Sequence, residues 1–229
     1  MPEGKPRLIG VCGGSGSGKT TLVERLRRRV VDGASSTKSA DGANQSIMVL
    51  ALDHYYLDLA HLPTSERDQR NFDHPDAFDA QLLLSQVETL AAGRPIDRPS
   101  YDFASHTRVG APVRVRPEPV IVLDGILTLH WPQLRHLLDL AIYVDVDDDV
   151  RFIRRLTRDI SQRGRTVDSV VTQYLATVKV MHDTYVAPQR EVADIVVGWM
   201  EYNDRAVEML ASMVRSWCDT AKRGVECGA

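Results

Sequence analysis

The sequence predicts an α/β fold, a three-layer α/β/α sandwich on a parallel sheet. Three observations carry that expectation. Short apolar runs alternate with segments of helical periodicity, the pattern of β-α-β crossover units. A glycine-rich turn, Gly13-Gly14-Ser15-Gly16-Ser17-Gly18, joins the first such run to the first such helix. Two further apolar runs end in aspartate, at Asp53 and Asp124, and open parallel sheets bind ligands at the carboxyl ends of their strands.

The elements follow in order. Arg7 to Cys12 reads as the first strand, and Thr20 to Val31 as a helix with Leu22, Val23, Leu26 and Val30 on one face. Asp32 to Ser46, rich in Gly, Ala, Ser and Asp, reads as a flexible loop. Ile47 to Leu52 is a second strand. Pro75-Asp76 opens a helix through Leu90, which Gly93-Arg94-Pro95 stops. Residues from about 95 to 116 read as an antiparallel hairpin excursion with turn chemistry near Gly110. Val120 to Asp124 is a buried strand and Ala141 to Val146 another. Helices follow from Asp148 to about Gln162 and from Thr166 to about Val186. The second carries Val167, Val170, Val171, Tyr174, Val178 and Met181 at helical spacing, which directs them to the core. Ile195 to Val197 closes the sheet, and a last helix carries Val207, Leu210, Val214 and Trp217. No repeat or linker divides the 229 residues, so one domain is expected.

Composition narrows the partners. With 28 basic against 31 acidic residues the net charge is −3, which gives no global attraction to nucleic acid or to an anionic membrane. Hydrophobic residues at 43% and charged residues at 26% are ordinary globular usage and exclude a disordered or fibrous chain. The three cysteines, Cys12, Cys218 and Cys227, form no metal-ligand spacing and suggest a reducing cytoplasm. The apolar run Leu8 to Cys12 is too short for a signal segment, and no run reaches the roughly 18 apolar residues that span a bilayer. A cytoplasmic protein without membrane or nucleic-acid partners is expected.

The chemistry starts with lysine. Only five of the 28 basic residues are lysine (Lys5, Lys19, Lys38, Lys179 and Lys222), and one of these stands in the glycine-rich turn. Gly13 to Thr20 fits G-x-x-x-x-G-K-[ST] between a strand and a helix, where backbone N–H groups and the helix amino end surround phosphate oxygens. Lys19 is then expected on the β/γ-phosphates and the Thr20 hydroxyl on Mg²⁺, with Gly13 through Thr21 forming a nucleoside-triphosphate-binding segment. Asp124 suits a carboxylate that holds Mg²⁺ directly or through water. Asp53 suits a base that accepts a hydroxyl proton, which phosphoryl transfer to an alcohol needs and a nucleotide switch does not. Either aspartate could instead cap the turn that follows it. Arg151, Arg154, Arg155 and Arg158 lie at helical spacing, with Arg163-Gly164-Arg165 just beyond. Such a run is either a solvated basic face or a lid over about 151–166 whose guanidinium groups close on a phosphoryl group.

Further stretches resemble the uridine/cytidine kinase family of P-loop kinases. They are Asp53-His54-Tyr55-Tyr56, Asn71-Phe72-Asp73-His74-Pro75-Asp76-Ala77-Phe78-Asp79, Tyr101-Asp102-Phe103-Ala104-Ser105-His106-Thr107-Arg108, Asp124-Gly125-Ile126-Leu127 and the run Arg154 to Arg165. The likeness extends from about residue 7 to 198, in family order. It implies transfer of the γ-phosphoryl group of ATP to the 5′-hydroxyl of uridine or cytidine with Mg²⁺, a pyrimidine-salvage reaction. By the same resemblance Asp53 is the catalytic base, Tyr56 a pocket residue and Asp73 the partner of the ribose hydroxyls. Tyr101 and His106 meet the pyrimidine. Arg155, Arg158, Arg163 and Arg165 are lid and substrate-side arginines, Arg158 and Arg163 acting on the phosphoryl group, and Gln173 is a polar residue brought to the nucleoside. A homotetramer is a further implication.

Two departures stand out. Asp124 replaces the usual glutamate of Glu-Gly-Ile-Leu, and Gly198-Trp199-Met200-Glu201-Tyr202-Asn203 replaces a Pro-Arg-Gly-type turn, so adenine contacts there do not carry over. The remaining alternatives are a kinase of another small alcohol, resembling phosphoribulokinase or pantothenate kinase, and a nucleotide-dependent switch. The Tyr101, His106 and Asp73 set speaks for a nucleoside.

Overall fold

The computed structural model describes residues 5–32, 47–67 and 69–226. In chain order β1 (Arg7–Cys12) leads to α1 (Lys19–Asp32), β2 (Ile47–Ala51), a short α2 (Thr64–Arg67) and α3 (Ala80–Ala91). An antiparallel excursion follows, with β3 (Ile96–Arg98), β4 (Tyr101–Asp102), β5 (Thr107–Arg108) and β6 (Val113–Val115). The chain continues through β7 (Val120–Asp124), α4 (Pro132–Arg135), β8 (Leu140–Asp145), α5 (Asp148–Arg163), α6 (Val167–Gln173), α7 (Lys179–Met181), β9 (Ile195–Gly198) and α8 (Asp204–Glu226).

Five strands form one parallel sheet in the order β2-β7-β1-β8-β9. Its layers follow from period-2 alternation. Leu8 and Cys12 of β1 face one core with Ile121 and Leu123 of β7, where Leu83, Val87 and Leu90 of α3 cover them. Ile9 and Val11 face the other with Val120 and Val122, covered by Leu22, Leu26 and Val30 of α1 and by Val207, Leu210 and Val214 of α8. The three-layer sandwich is therefore as the sequence predicts. The excursion is a nested pair of two-stranded ladders, β3 with β6 and β4 with β5. Of the loop expected at 32–46, Asp32 ends α1 and the rest lies outside the described residues. No helix among the described residues is long and apolar enough to cross a membrane.

Two helices differ from expectation. The helix expected to run on from Pro75 stops after one 3₁₀ turn, Pro75–Ala77. Phe78 is extended (φ −102°, ψ 143°), bridging Tyr56 with its ring 4.4 Å away, and Asp79 then caps α3 by accepting from the Leu82 N–H at 3.1 Å. Burial of the Phe78 ring overrides the helical pattern, and an aspartate is among the best residues to restart it. Asp79→Ala should cost about 1 kcal/mol, the usual worth of such a cap, read as a lower urea midpoint with unchanged slope.

The second is the helix from Val167 to Val186. Its buried line is Val170, Tyr174, Val178, His182 and Val186, while Val167 is 51% exposed and Val171 and Met181 are only partly buried. The spacing is four throughout because Tyr174–Val178 and His182–Val186 are wide turns of the i→i+5 type. A strict α period therefore names the wrong neighbours of the correct residues.

Candidate active site

The parallel sheet delivers every candidate loop to one edge, the carboxyl ends of its strands. Residues 13–18 connect β1 to α1, turning through the Ser17 N–H to Gly14 C=O bond of 3.0 Å. Gly16 holds φ +83°, and a Cβ there would collide with the Arg151 carbonyl oxygen. The loop is packed from behind. Arg151 is 3% exposed, donates to the Val146 carbonyl at 3.1 Å and pairs with Asp148, and its guanidinium fills the space a side chain at Gly14 would need. Beside it lies His182, whose pKa burial and Arg151 press down to about 4, so the ring is neutral at pH 7. Trp199, 1% exposed, backs Gly18 closely enough that a Cβ would meet its Cδ1 at 2.6 Å. Arg151, expected as part of the lid run, instead packs behind the loop, and His182 and Trp199 were not marked as site-forming by the sequence; burial identifies them.

The register sets Val11 of β1 beside Asp124 of β7 and so places that carboxylate next to the start of α1. The Thr20 hydroxyl donates to Asp124 Oδ2 at 2.8 Å, while the buried Oδ1 makes no hydrogen bond. A cleft of about 330 Å³ reaches Thr20 and Asp124 between α1 and β2. An orphaned buried carboxylate oxygen is costly unless a donor or cation takes it, and a hydroxyl beside a carboxylate is a ligand pair for a hard cation. The segment after Asp124 is pinned by Gln189, 3% exposed, which accepts from the Leu129 N–H at 2.8 Å and donates to the Ile126 and Tyr185 carbonyls.

Asp53 stands in the 3₁₀ turn Leu52–Tyr55 that β2 feeds. Burial raises its pKa, Lys19 opposes the rise, Asp124 and Asp73 add to it, and Arg163 opposes it. Asp73 is raised in the same way by burial, against Arg155, Lys19 and Arg158. Residues far apart in sequence, from Lys19 to Arg163, thus share one field in which Lys19 and the arginines face three carboxylates. Tyr56, whose hydroxyl burial pushes well above its ordinary range, adjoins both aspartates.

Its ring centres an aromatic group, 4.4 Å from Phe78, 5.3 Å from Phe72 and 5.4 Å from Tyr101. Phe72 stacks on His106 at 4.4 Å and 18°. His106 is held at φ 53°, the only non-glycine residue at positive φ among the described residues, a conformation that L side chains seldom adopt without a constraint. The Tyr101 hydroxyl is buried without a hydrogen-bond partner. Phe72 belongs to a quoted motif yet was given no role by the sequence. A larger cleft of about 450 Å³ opens beside Phe72 and is lined by none of Lys19, Asp53 or Asp124, so converging charge marks the site better than volume does.

The arginines are split between tasks. Arg155 is buried and donates to Ser15 Oγ at 2.7 Å and to Gln173 Oε1 at 3.0 Å. Arg165 meets the same Gln173 oxygen at 2.6 Å. Arg158 pairs with Asp159 at 2.9 Å, and Arg163 is exposed on the site's rim, 3.5 Å from the same carboxylate. Arg154 lies outside this group and donates to the Trp199 and Met200 carbonyls. Asp159 is the residue that the sequence reading overlooked; its only signal was an acid inside an arginine run.

Comparison with known proteins places the chain in a family. The Phosphoribulokinase / Uridine kinase family model matches residues 8–206. The uridine kinase of Lactobacillus helveticus (strain DPC 4571) is 43% identical over 212 residues, 93% of this chain and 95% of that protein. That of Geobacillus kaustophilus (strain HTA426) is equally similar over the same shares. Among solved structures, a possible uridine kinase from Bacillus stearothermophilus superposes with a TM-score of 0.58 at 18% identity, covering 86% of this chain and 90% of that one, a likeness of fold.

Proposed function

From the premise that this chain belongs to the phosphoribulokinase/uridine kinase family of phosphotransferases, we propose that it phosphorylates the 5′-hydroxyl of uridine or cytidine with ATP. The observation that supports this best is the shared field of Asp53, Asp73 and Lys19 beside the Phe72–His106 stack. In the reading, residues 13–21 cradle the polyphosphate and Lys19 pairs with its β/γ oxygens. Thr20 and Asp124 hold Mg²⁺, which supplies charge neutralisation along the phosphates. Asp73 accepts from the ribose hydroxyls, Tyr101 and His106 meet the pyrimidine, and Arg155, Arg165 and Gln173 fix the acceptor side. Asp53 takes the 5′-hydroxyl proton as the 5′-oxygen bonds to the γ-phosphorus. The bond from that phosphorus to the β–γ bridging oxygen breaks, ADP leaves, and Arg158 and Arg163 neutralise the charge in passage. A cytoplasmic homo-oligomer in pyrimidine salvage completes the proposal.

The test is sugar discrimination, which the phosphate cradle cannot supply. Ionised Asp73 is acceptor-only, and loss of the 2′-hydroxyl leaves part of it desolvated without a donor. Such a loss costs about 1–3 kcal/mol, so kcat/KM for deoxyuridine should fall at least about tenfold below that for uridine. Asp73→Asn should narrow the gap by weakening uridine. Equal rates on both sugars, or turnover of a sugar phosphate or pantothenate in preference to both, would overturn the assignment.

A further inference from the structure

Asp159 is fully buried in the last turn of α5, with the guanidinium groups of Arg155, Arg158, Arg163 and Arg165 all within 3.7 Å. Its two oxygens divide them. Oδ1 accepts from Arg158 Nε at 2.9 Å and lies 3.5 Å from Arg163 Nη1. Oδ2 makes no hydrogen bond, with Arg155 Nε and Arg165 Nη1 each 3.7 Å away. The Oδ2 pair is the one that converges on Gln173, and Arg155 continues to Ser15 in the phosphate loop. The Oδ1 pair is the one assigned above to the phosphoryl group. Backbone geometry produces this closure. Gly164, left-handed at φ 63°, turns the chain so that the Arg165 N–H donates to the Asp159 carbonyl at 3.1 Å.

Four like charges gathered around one poorly hydrated point repel one another strongly. We propose that Asp159 is the positioning residue of this arginine set: an internal counter-anion that keeps the four guanidinium groups assembled and competes with polyphosphate for Arg158 and Arg163. When phosphate oxygens take those N–H groups, the carboxylate yields Oδ1 contacts, and its second oxygen is already placed between Arg155 and Arg165. Neutralising Asp159 then does two opposite things. It frees guanidinium charge for any anion, and it loses the fixed geometry that transfer needs.

The inference rests on the kinase reading of the site, so the decisive measurement uses neither nucleoside nor ATP. Inorganic pyrophosphate is titrated calorimetrically into the full chain as parent, Asp159→Asn and Asp159→Glu. Folded Asp159→Asn should bind pyrophosphate at least about threefold more tightly, the scale of releasing a competing charge contact. Its kcat should fall about tenfold or more, as misplaced catalytic groups do. Asp159→Glu, which keeps the charge, should bind pyrophosphate as the parent does. Unchanged or weaker pyrophosphate binding by folded Asp159→Asn overturns the proposal and leaves Asp159 a packing residue. If Asp159→Asn alone does not fold, it is compared within Arg163→Gln, where one repelling charge is gone. Tighter binding in the double variant than in Arg163→Gln supports the counter-anion, and equal or weaker binding overturns it. Loss of the uridine assignment would leave these titrations unaffected.

Discussion

Asp53→Asn is expected to lower kcat by about 100-fold or more, the range of general-base catalysis, while leaving ATP affinity nearly intact. The substitution keeps the side-chain shape in the 3₁₀ turn and removes only the proton acceptor. The pH profile gives the second readout. Burial and the neighbouring Asp124 and Asp73 lift the Asp53 carboxyl above its usual range, with Lys19 and Arg163 pulling against them. The base works ionised, so kcat/KM should rise with pH as this proton leaves, with its acidic limb above the ordinary aspartate range. Folding stability runs the other way: a raised carboxyl favours the folded state while protonated, and that contribution is lost as pH climbs through the folded value. Asp53→Asn should flatten the acidic limb. Equal activity and an unchanged profile in the variant would leave Asp53 as a turn cap.

Lys19→Ala is the second large effect. Lys19 opens α1 at the mouth of the cradle and is a shared opposing charge for both Asp53 and Asp73. Its loss should cost at least about 3 kcal/mol of transition-state stabilisation, as removal of a principal electrostatic donor does. It should also let the pKa values of Asp53 and Asp73 climb further, so the residual activity should need a higher pH than the parent's. Near-normal kcat/KM in folded Lys19→Ala protein would remove the phosphate-cradle assignment.

What could be read before the fold was known depended on range. Arg7–Cys12, the helix face Leu22, Val23, Leu26 and Val30, and the cradle are local patterns, and the structure keeps them nearly residue for residue. The motifs assign Thr20 and Asp124 to one Mg²⁺, but the hydrogen bond between them follows from β1–β7 register, which no local signal encodes. Phe78 looked like one more apolar position on a helix because its partner, Tyr56, lies 22 residues upstream. Asp159 was hidden for a related reason. Its meaning comes from burial among arginines that Gly164 folds back over it, and in a linear reading it is one acid in a basic run.

The wide turns of the helix from Val167 to Val186 set a constraint on length rather than on composition. In an α-helix a step of four residues overshoots a full turn by about 40°, so a line of every fourth residue winds away from its contact within a few steps. Each i→i+5 turn takes some of that angle back. The helix behaves as a vernier, and the two corrections keep Val170, Tyr174, Val178, His182 and Val186 in phase over seventeen residues. His182 reaches the back of Gly14 only because the first correction precedes it. Deleting one residue between 174 and 178 would swing everything downstream by about 100°. His182 would leave the phosphate loop, and Gln189 would leave the segment that carries Asp124. A point substitution there spares that phase, whereas an insertion or deletion reaches both ends of the site at once.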